Sequence, residues 1–311
     1  MKFWAYIFLF ITALSLSGMS ILRKRYQKDS TDNYNSTLFF VGVYSGIVLL
    51  LGLLYFSVVG FKSFQEIDLV VLLLGFLLAC TITITTIICI IGTAYGNVTV
   101  LVMFATLGSL VLSSVYGLIV DPVRNKLNVW NIIAFIIVFV IVALNYVSED
   151  KGENARGHKN KIIYRLLCII VFFTNGAALV VYSALTTFKP TVNGFSFICL
   201  YSAFILCICA FLIGIAFLGK KKKETAEAIK TSCNWKTFVN ISLYTGFFVL
   251  GEVLSIKCTE MIPVIIQAPL SFAFEVLVLT AMDYLAFKEK LSKVNVYQVI
   301  LAVASGVLFA L

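Results

Sequence analysis

Two carboxylates sit where an apolar sequence is least able to tolerate them. Glu275 lies twelve residues past Pro263 inside a long apolar run, and Glu252 lies well inside the preceding run. Ionisable side chains at bilayer depth are expensive and usually face a cavity or a partner. Helical spacing gives each one company. Gln267, Ser271 and Glu275 follow i, i+4, i+8 and share one face, and Tyr244, Phe248 and Glu252 do the same one run earlier. If these faces meet, they line a cavity with two acids and aromatic rings. Such a cavity favours an organic cation or amine through charge and cation–π attraction. A buried carboxylate can also carry a coupling proton, and proton and substrate can compete for the same group. The structural alternative is a protonated glutamate hydrogen-bonded between helices. Asp283, nearer its helix end, has the simpler option of pairing with Lys288.

The first half of the chain offers hydroxyls instead of acids. Thr106, Ser109, Ser113 and Tyr116 form a polar stripe at i, i+3, i+7, i+10, and Thr81 and Thr85 share a face of the run before it. They form either the neutral wall of the same cavity or interhelical hydrogen bonds worth about 1 kcal/mol or less each. Ser17 and Asn175 are further polar positions within apolar runs. Pro269 removes a backbone hydrogen bond two turns from Glu275, which predicts a kink that can act as a hinge or free a carbonyl for the cavity. No Lys or Arg lies deep in any run, which makes a dedicated site for a phosphate or carboxylate less natural. The single His158 falls in a charged gap, and no Cys-x-x-Cys pair occurs among eight cysteines. A zinc site, a histidine triad, an enzymatic role and a bound cofactor are therefore not expected. The cysteines within apolar runs read as small packing residues.

These positions must be held by membrane helices. Of 311 residues, 61% are hydrophobic and only 13% charged, and the mean hydropathy is +1.02. A soluble domain of this size cannot hide so much apolar surface. The unbroken runs also exclude a β-barrel, whose strands alternate. Ten runs reach the roughly 20 residues a transmembrane helix needs: Phe3–Leu22, Thr37–Val59, Leu69–Ile91, Val98–Val120, Val129–Val147, Ile162–Leu185, Phe195–Leu218, Phe238–Ile256, Val264–Phe287 and Val294–Leu311. The first run is long for a signal peptide, and Arg23, Lys24 and Arg25 follow it, so it reads as a mature helix. The most polar gap, 148–161, divides the runs five and five. We therefore expect an all-α polytopic membrane protein of two units, residues 1–150 and 158–311.

The units repeat. Lys126-Leu-Asn-Val-Trp-Asn-Ile-Ile133 opens the fifth run and Lys293-Val-Asn-Val-Tyr-Gln-Val-Ile300 the tenth. Val43-Tyr44-Ser45 matches Leu200-Tyr201-Ser202, and Tyr6 to Gly18 has the spacing of Tyr164 to Gly176. Five helices per unit is odd, so the second copy enters the membrane from the other side. Inverted repeats of this kind build alternating-access transporters. An offset of 166 residues pairs Ser109 with Glu275 and Thr86 with Glu252. The net charge is +9, and most of the 24 Lys and Arg lie in or beside the odd-numbered gaps, Lys220 to Lys223 included. Positive-inside logic puts those gaps in the cytoplasm and both termini outside, and leaves no reason to expect nucleic acid as a partner. Gly42-x-x-x-Gly46 reads as internal packing or a dimer seam, so the chain is a monomer or homodimer.

Near the C-terminus, Phe287-Lys-Glu289-Lys-Leu-Ser292 is followed by Gln298 and Gly306-Val307. With the five-plus-five arrangement and Pro269, this resembles the drug/metabolite transporter superfamily, in particular its EamA-like branch. The resemblance implies alternating access, a central cavity, usually metabolite efflux, and cytoplasmic termini. Glu289 then belongs to a structural turn. The expected function is a secondary active transporter in the cytoplasmic membrane. It would move a small amine, amino acid or other organic solute, coupled to protons or another gradient, by efflux rather than uptake. The alternatives are a lipid-linked sugar flippase and a non-transporting membrane scaffold.

Overall fold

In a computed structural model, the described residues are 2–29, 34–60, 66–92, 95, 98–123, 128–152, 158–218, 222–287 and 293–310. They form eleven helices: α1 (Lys2–Asp29), α2 (Tyr34–Val59), α3 (Leu69–Gly92), α4 (Val98–Val120), α5 (Val129–Gly152), α6 (His158–Phe188), α7 (Gly194–Leu218), α8 (Lys222–Ser232), α9 (Trp235–Met261), α10 (Val264–Phe287) and α11 (Lys293–Ala310). Eight of them hold segments long and apolar enough to cross a membrane, and α5 contributes a shorter apolar stretch, Val129–Ile141. The chain is thus a polytopic all-helical membrane protein. A bilayer interior offers backbone groups no water, so runs of this kind satisfy their hydrogen bonds within one helix. Outward faces carry exposed Leu54, Phe76, Ile119, Phe139, Phe173 and Phe211, as lipid contact requires.

Hydroxyls inside the spans turn back on their own helix. Thr12 donates to the Phe8 carbonyl at 2.8 Å and Ser15 to that of Ile11 at 2.9 Å. Helix starts are marked by short polar caps. Asn234 accepts from the Thr237 N–H at 2.8 Å, and Asn193 accepts from Phe195 at 2.9 Å. At the start of α5, Asn128 accepts from the Asn131 backbone N–H at 2.7 Å and Asn131 from that of Asn128 at 3.0 Å. This is a reciprocal capping box, so the Asn-x-x-Asn in the first copy of the repeated segment has a local purpose. Gly60 ends α2 with φ +94, where its N–H reaches the Phe56 carbonyl at 2.8 Å.

The helices pair as α1 with α9 and α10, α6 with α3 and α4, α2 with α7, α5 with α11, and α4 with α10. One core cluster joins α1, α2, α3, α6, α7 and α9 around Phe40, Tyr44, Tyr201, Tyr244 and Phe248. A second gathers α4, α5, α10 and α11 around Leu110, Val138, Phe272 and Ala302. The cysteines are all free, with Cys89, Cys168, Cys199, Cys209 and Cys258 buried.

Three expectations change. The first run does not stop at Leu22. Helix α1 continues to Asp29 and carries Arg23, Lys24 and Arg25 within it. The seventh gap is not a plain loop, because α8 folds there with Thr225, Ala228 and Ser232 buried at helical spacing. It docks on α2 and α7. Asn35 donates to Thr225 at 3.0 Å, and Tyr26, Ser36 and Ser232 share hydroxyl bonds. The Gly42-x-x-x-Gly46 pair is not the place of closest approach. A Cβ on Gly42 would meet only the Cys209 side chain at 3.5 Å, and one on Gly46 would meet nothing. Arg124, Lys126, Lys220, Lys221, Lys288, Glu289 and Ser292 lie outside the described residues, as do the side chains of Asp283 and Gln298.

At one end of the bundle, Asp68 caps α3 by accepting from the Val71 N–H at 3.0 Å and pairs with Lys189, just past α6. Lys189 and that N–H hold the Asp68 carboxyl below its usual range. A depressed folded value contributes stability above the unfolded value and loses it as pH falls through the folded one. Asp68 is exposed and Lys189 half-buried, so solvent screens the pair and the effect is small. Asp68→Asn is expected to melt about 1–3 °C lower near neutral pH. The difference from wild type should shrink as pH drops below about 4 in a detergent melt series. A difference that is the same at every pH would remove the ion pair as its cause.

Candidate functional site

Two adjoining pockets open between the helices, with cavity volumes of about 130 and 100 Å³. Both are lined by Leu16, Ile82, Thr106, Asn175, Glu252 and Glu275, so they form one polar interior. The larger adds Thr12, Ser109, Tyr182, Ser255, Gln267, Ser271 and Phe272. The smaller adds Ser20, Arg23, Thr85, Thr86, Cys89 and Phe248. The lining therefore comes from α1, α3, α4, α6, α9 and α10. The space is below the 300–1,000 Å³ of drug-sized sites and suits a small solute.

The predicted faces converge. Glu275 is 5% exposed and Gln267 2% exposed. Glu275 Oε2 and Gln267 Oε1 have no hydrogen-bond partner, while Gln267 Nε2 donates to the Ser255 carbonyl at 3.2 Å. Unpaired acceptors at such depth are costly unless something visits them. On α9, Phe248 and Glu252 reach the lining. Tyr244 stands behind it in an aromatic wall, 4.9 Å from Phe40 and 5.1 Å from Tyr44 between ring centroids.

The repeat-related pairs Ser109 with Glu275 and Thr86 with Glu252 each face a common pocket. The stripe on α4 divides. Thr106 and Ser109 line the cavity, and Ser109 also touches the Asn175 carbonyl at 3.2 Å. Ser113 and Tyr116 do not line it. The Ser113 hydroxyl turns back to the Ser109 carbonyl, and the Tyr116 hydroxyl is buried without a partner. All four stay within one face of the helix, but Ser113 and Tyr116 lie one to two turns farther along α4, past the residues that line the cavity. Thr85 lines the smaller pocket and bonds Thr174 at 2.7 Å, which makes it interhelical and cavity-facing at once. Pro269 lies within α10, where it withholds an N–H between Gln267 and Glu275.

Three residues that spacing alone did not single out complete the site. Arg23 is the largest departure, because it puts a guanidinium beside both acids. Its Nη2 and Nε donate to the Tyr244 hydroxyl at 2.7 and 3.2 Å. The signal is in the sequence: Thr12, Leu16, Ser20 and Arg23 share one face of α1, although Arg23 opens a run of three cations that by itself marks the end of a span. Asn175 crosses from α6 to α4, donating to the Ala105 carbonyl at 2.9 Å and to Ser109 Oγ at 2.8 Å. Tyr182 bonds the Glu252 carboxylate and lies 3.3 Å from the Tyr201 hydroxyl. With its proton on the carboxylate, Tyr182 accepts from Tyr201, giving a Tyr201–Tyr182–Glu252 chain. Among the described residues, no three His, Cys, Asp or Glu side chains converge as a metal centre needs.

No known protein family matches the sequence, and no curated protein does. Among solved structures, one described only as a crystal structure of a protein superposes with a TM-score of 0.62, over 99% of this chain and 97% of its own, at 13% sequence identity. At that identity the likeness concerns the fold: the whole chain follows a backbone arrangement already seen in a crystal.

Proposed function

We propose that the chain is a secondary active transporter that moves a small polar metabolite across a membrane by alternating access. The observation that carries this is Glu275: a deeply buried carboxylate with an unpartnered oxygen, in a cavity lined from both halves of the chain. A ten-span, five-plus-five inverted repeat is the architecture we assign, with α5 and α11 as the remaining spans and α8 outside the repeat. The helix pairing supports it. Exchanging α1–α5 with α6, α7, α9, α10 and α11 in order turns the α1–α9 and α1–α10 contacts into those of α6 with α3 and α4. It leaves α2–α7, α4–α10 and α5–α11 unchanged. A pseudo-twofold relation of this kind lets two halves rock about a fixed central site. The likeness to the drug/metabolite transporter superfamily, EamA-like branch, belongs to the same proposal, as do efflux as the direction and the cytoplasmic membrane as the location. Protons are the coupling ion we favour, since Glu252 and Glu275 can each take one.

The test is exchange in reconstituted vesicles against a panel of metabolites, with thermal stabilisation of the purified protein measured at two pH values. A solute that exchanges, stabilises the protein and loses its effect at the lower pH supports a carboxylate site for a cation. No exchange with any solute, together with cross-linking of Glu275-side helices to another protein, favours a scaffold.

Tyr182→Phe tests the hydroxyl chain. It removes the donor to Glu252 and is expected to slow flux about tenfold, the value of one charge-assisted bond. The melting temperature should stay within a few degrees. Unchanged flux would release Glu252 from the mechanism and leave it a structural acid.

A further inference from the structure

Within the transporter reading, the charges in the cavity define the cargo more narrowly than an amine. A guanidinium and two carboxylates line one small pocket, yet no direct ion pair closes between them. Among the described residues, no ion pair within 4 Å joins Arg23 to Glu252 or Glu275. Each is held elsewhere. Arg23 is tethered by the neutral Tyr244 hydroxyl, Glu252 is bonded by Tyr182, and one oxygen of the 5%-exposed Glu275 has no partner.

Buried charges kept apart are costly, and the cost falls when something bridges them with good geometry. The bridge must present an anion to Arg23, whose planar fork suits a carboxylate. It must also present a donor cation to Glu275. We propose that the cargo is a small zwitterion of the α-amino-acid type, its carboxylate on Arg23 and its ammonium on Glu275. The adjoining pocket takes the remainder of the molecule. There Leu16, Ile82, Ala178, Leu179, Ala268 and Phe272 offer an apolar wall among the polar groups, against which a small aliphatic side chain fits. The cavity volumes of about 100 and 130 Å³ agree with a solute of that size.

Vesicles containing the full chain would be loaded with L-valine, isobutylamine or isobutyrate and assayed for exchange with the labelled form of each. L-valine shares the apolar tail of the other two and carries both charges. The expected result is exchange of valine about tenfold or more above either singly charged compound, with Arg23→Gln abolishing the advantage over isobutylamine. Arg23→Lys, which keeps the charge but not the fork, should restore part of it. Monodispersity and melting temperature of each variant establish that it is folded.

Isobutylamine exchanging as well as valine, or a valine preference untouched in both Arg23 variants, would overturn the zwitterion while leaving transport in place. No exchange of any of the three would also overturn it, and the wider metabolite panel then decides transport independently.

Discussion

Replacing Glu275 with Gln is expected to reduce gradient-driven flux by tenfold to a hundredfold or more while leaving the fold intact or slightly more stable. The two halves of that expectation come from the same geometry. Glu275 is buried on α10 with Oε2 unpaired, and the nearby Arg23 is committed to Tyr244. An unpaired buried acid costs stability, and an amide of the same shape removes that cost. A site that is strained when empty is a common price of function, and relieving it trades activity for stability. The transported species loses a charge-assisted bond of roughly 1.5–3 kcal/mol, which corresponds to the stated range.

The pH profile separates carriage of a proton from simple binding. If Glu275 alternates between proton and cargo, its neighbours must set when the proton leaves: Arg23 from α1, Cys89 from α3 and Glu252 from α9 all share its pocket. Wild-type exchange should then vary with pH across the range in which Glu275 gains and loses its proton, and the Gln variant's residual exchange should be flat. Vesicle flux at several pH values, with melting curves of both proteins, checks both halves. Wild-type flux in the variant would remove Glu275 from transport altogether.

Much of this site could be read from spacing, because a bilayer imposes strict one-dimensional rules. Apolar runs of about 20 residues mark helices, and an acid within one demands an explanation. The i, i+4, i+8 sets on α9 and α10 are legible for that reason, and five of their six members line the cavity beside Thr106, Ser109 and Thr85. What failed is equally physical. Charge ordinarily marks the water boundary, which puts the end of the span before Arg23. The helix instead runs on past it, and a polar cavity solvates the guanidinium. Lys222–Ser232 falls in a cationic gap between apolar runs, yet Thr225, Ala228 and Ser232 give it one face that packs. Asn175 was visible only as a polar position, since its worth depends on the carbonyl of Ala105 on another helix.

Glycine packing shows the same limit most sharply, and it carries the second large prediction. Gly108→Ala is expected to destabilise the protein by about 3 kcal/mol or more, enough to deplete the monodisperse form in detergent. A Cβ on Gly108 would stand 1.8 Å from the Phe172 carbonyl oxygen, with that residue's carbonyl carbon at 2.6 Å and Cα at 2.8 Å. These are backbone atoms, so no rotamer change relieves the collision. Helix α4 must instead move away from α6, and the Asn175 bonds to Ala105 and Ser109 break with it. Gly176 sits on the other side of the same crossing, where its Cβ would meet the Gly108 carbonyl oxygen at 2.5 Å. Small residues permit this approach in membranes, where contact and hydrogen bonding replace the hydrophobic drive. Gly46 and Gly214 are the controls. A Cβ on either meets nothing within 4 Å, and Ala there should be neutral or gain about 0.5–1 kcal/mol of helix propensity. Thermal unfolding of the four alanine variants in one detergent tests the contrast. Equal melting temperatures across the set would mean that α4 and α6 do not cross through these two glycines. A cavity wall built on that crossing would then have to be redrawn around Thr106 and Ser109.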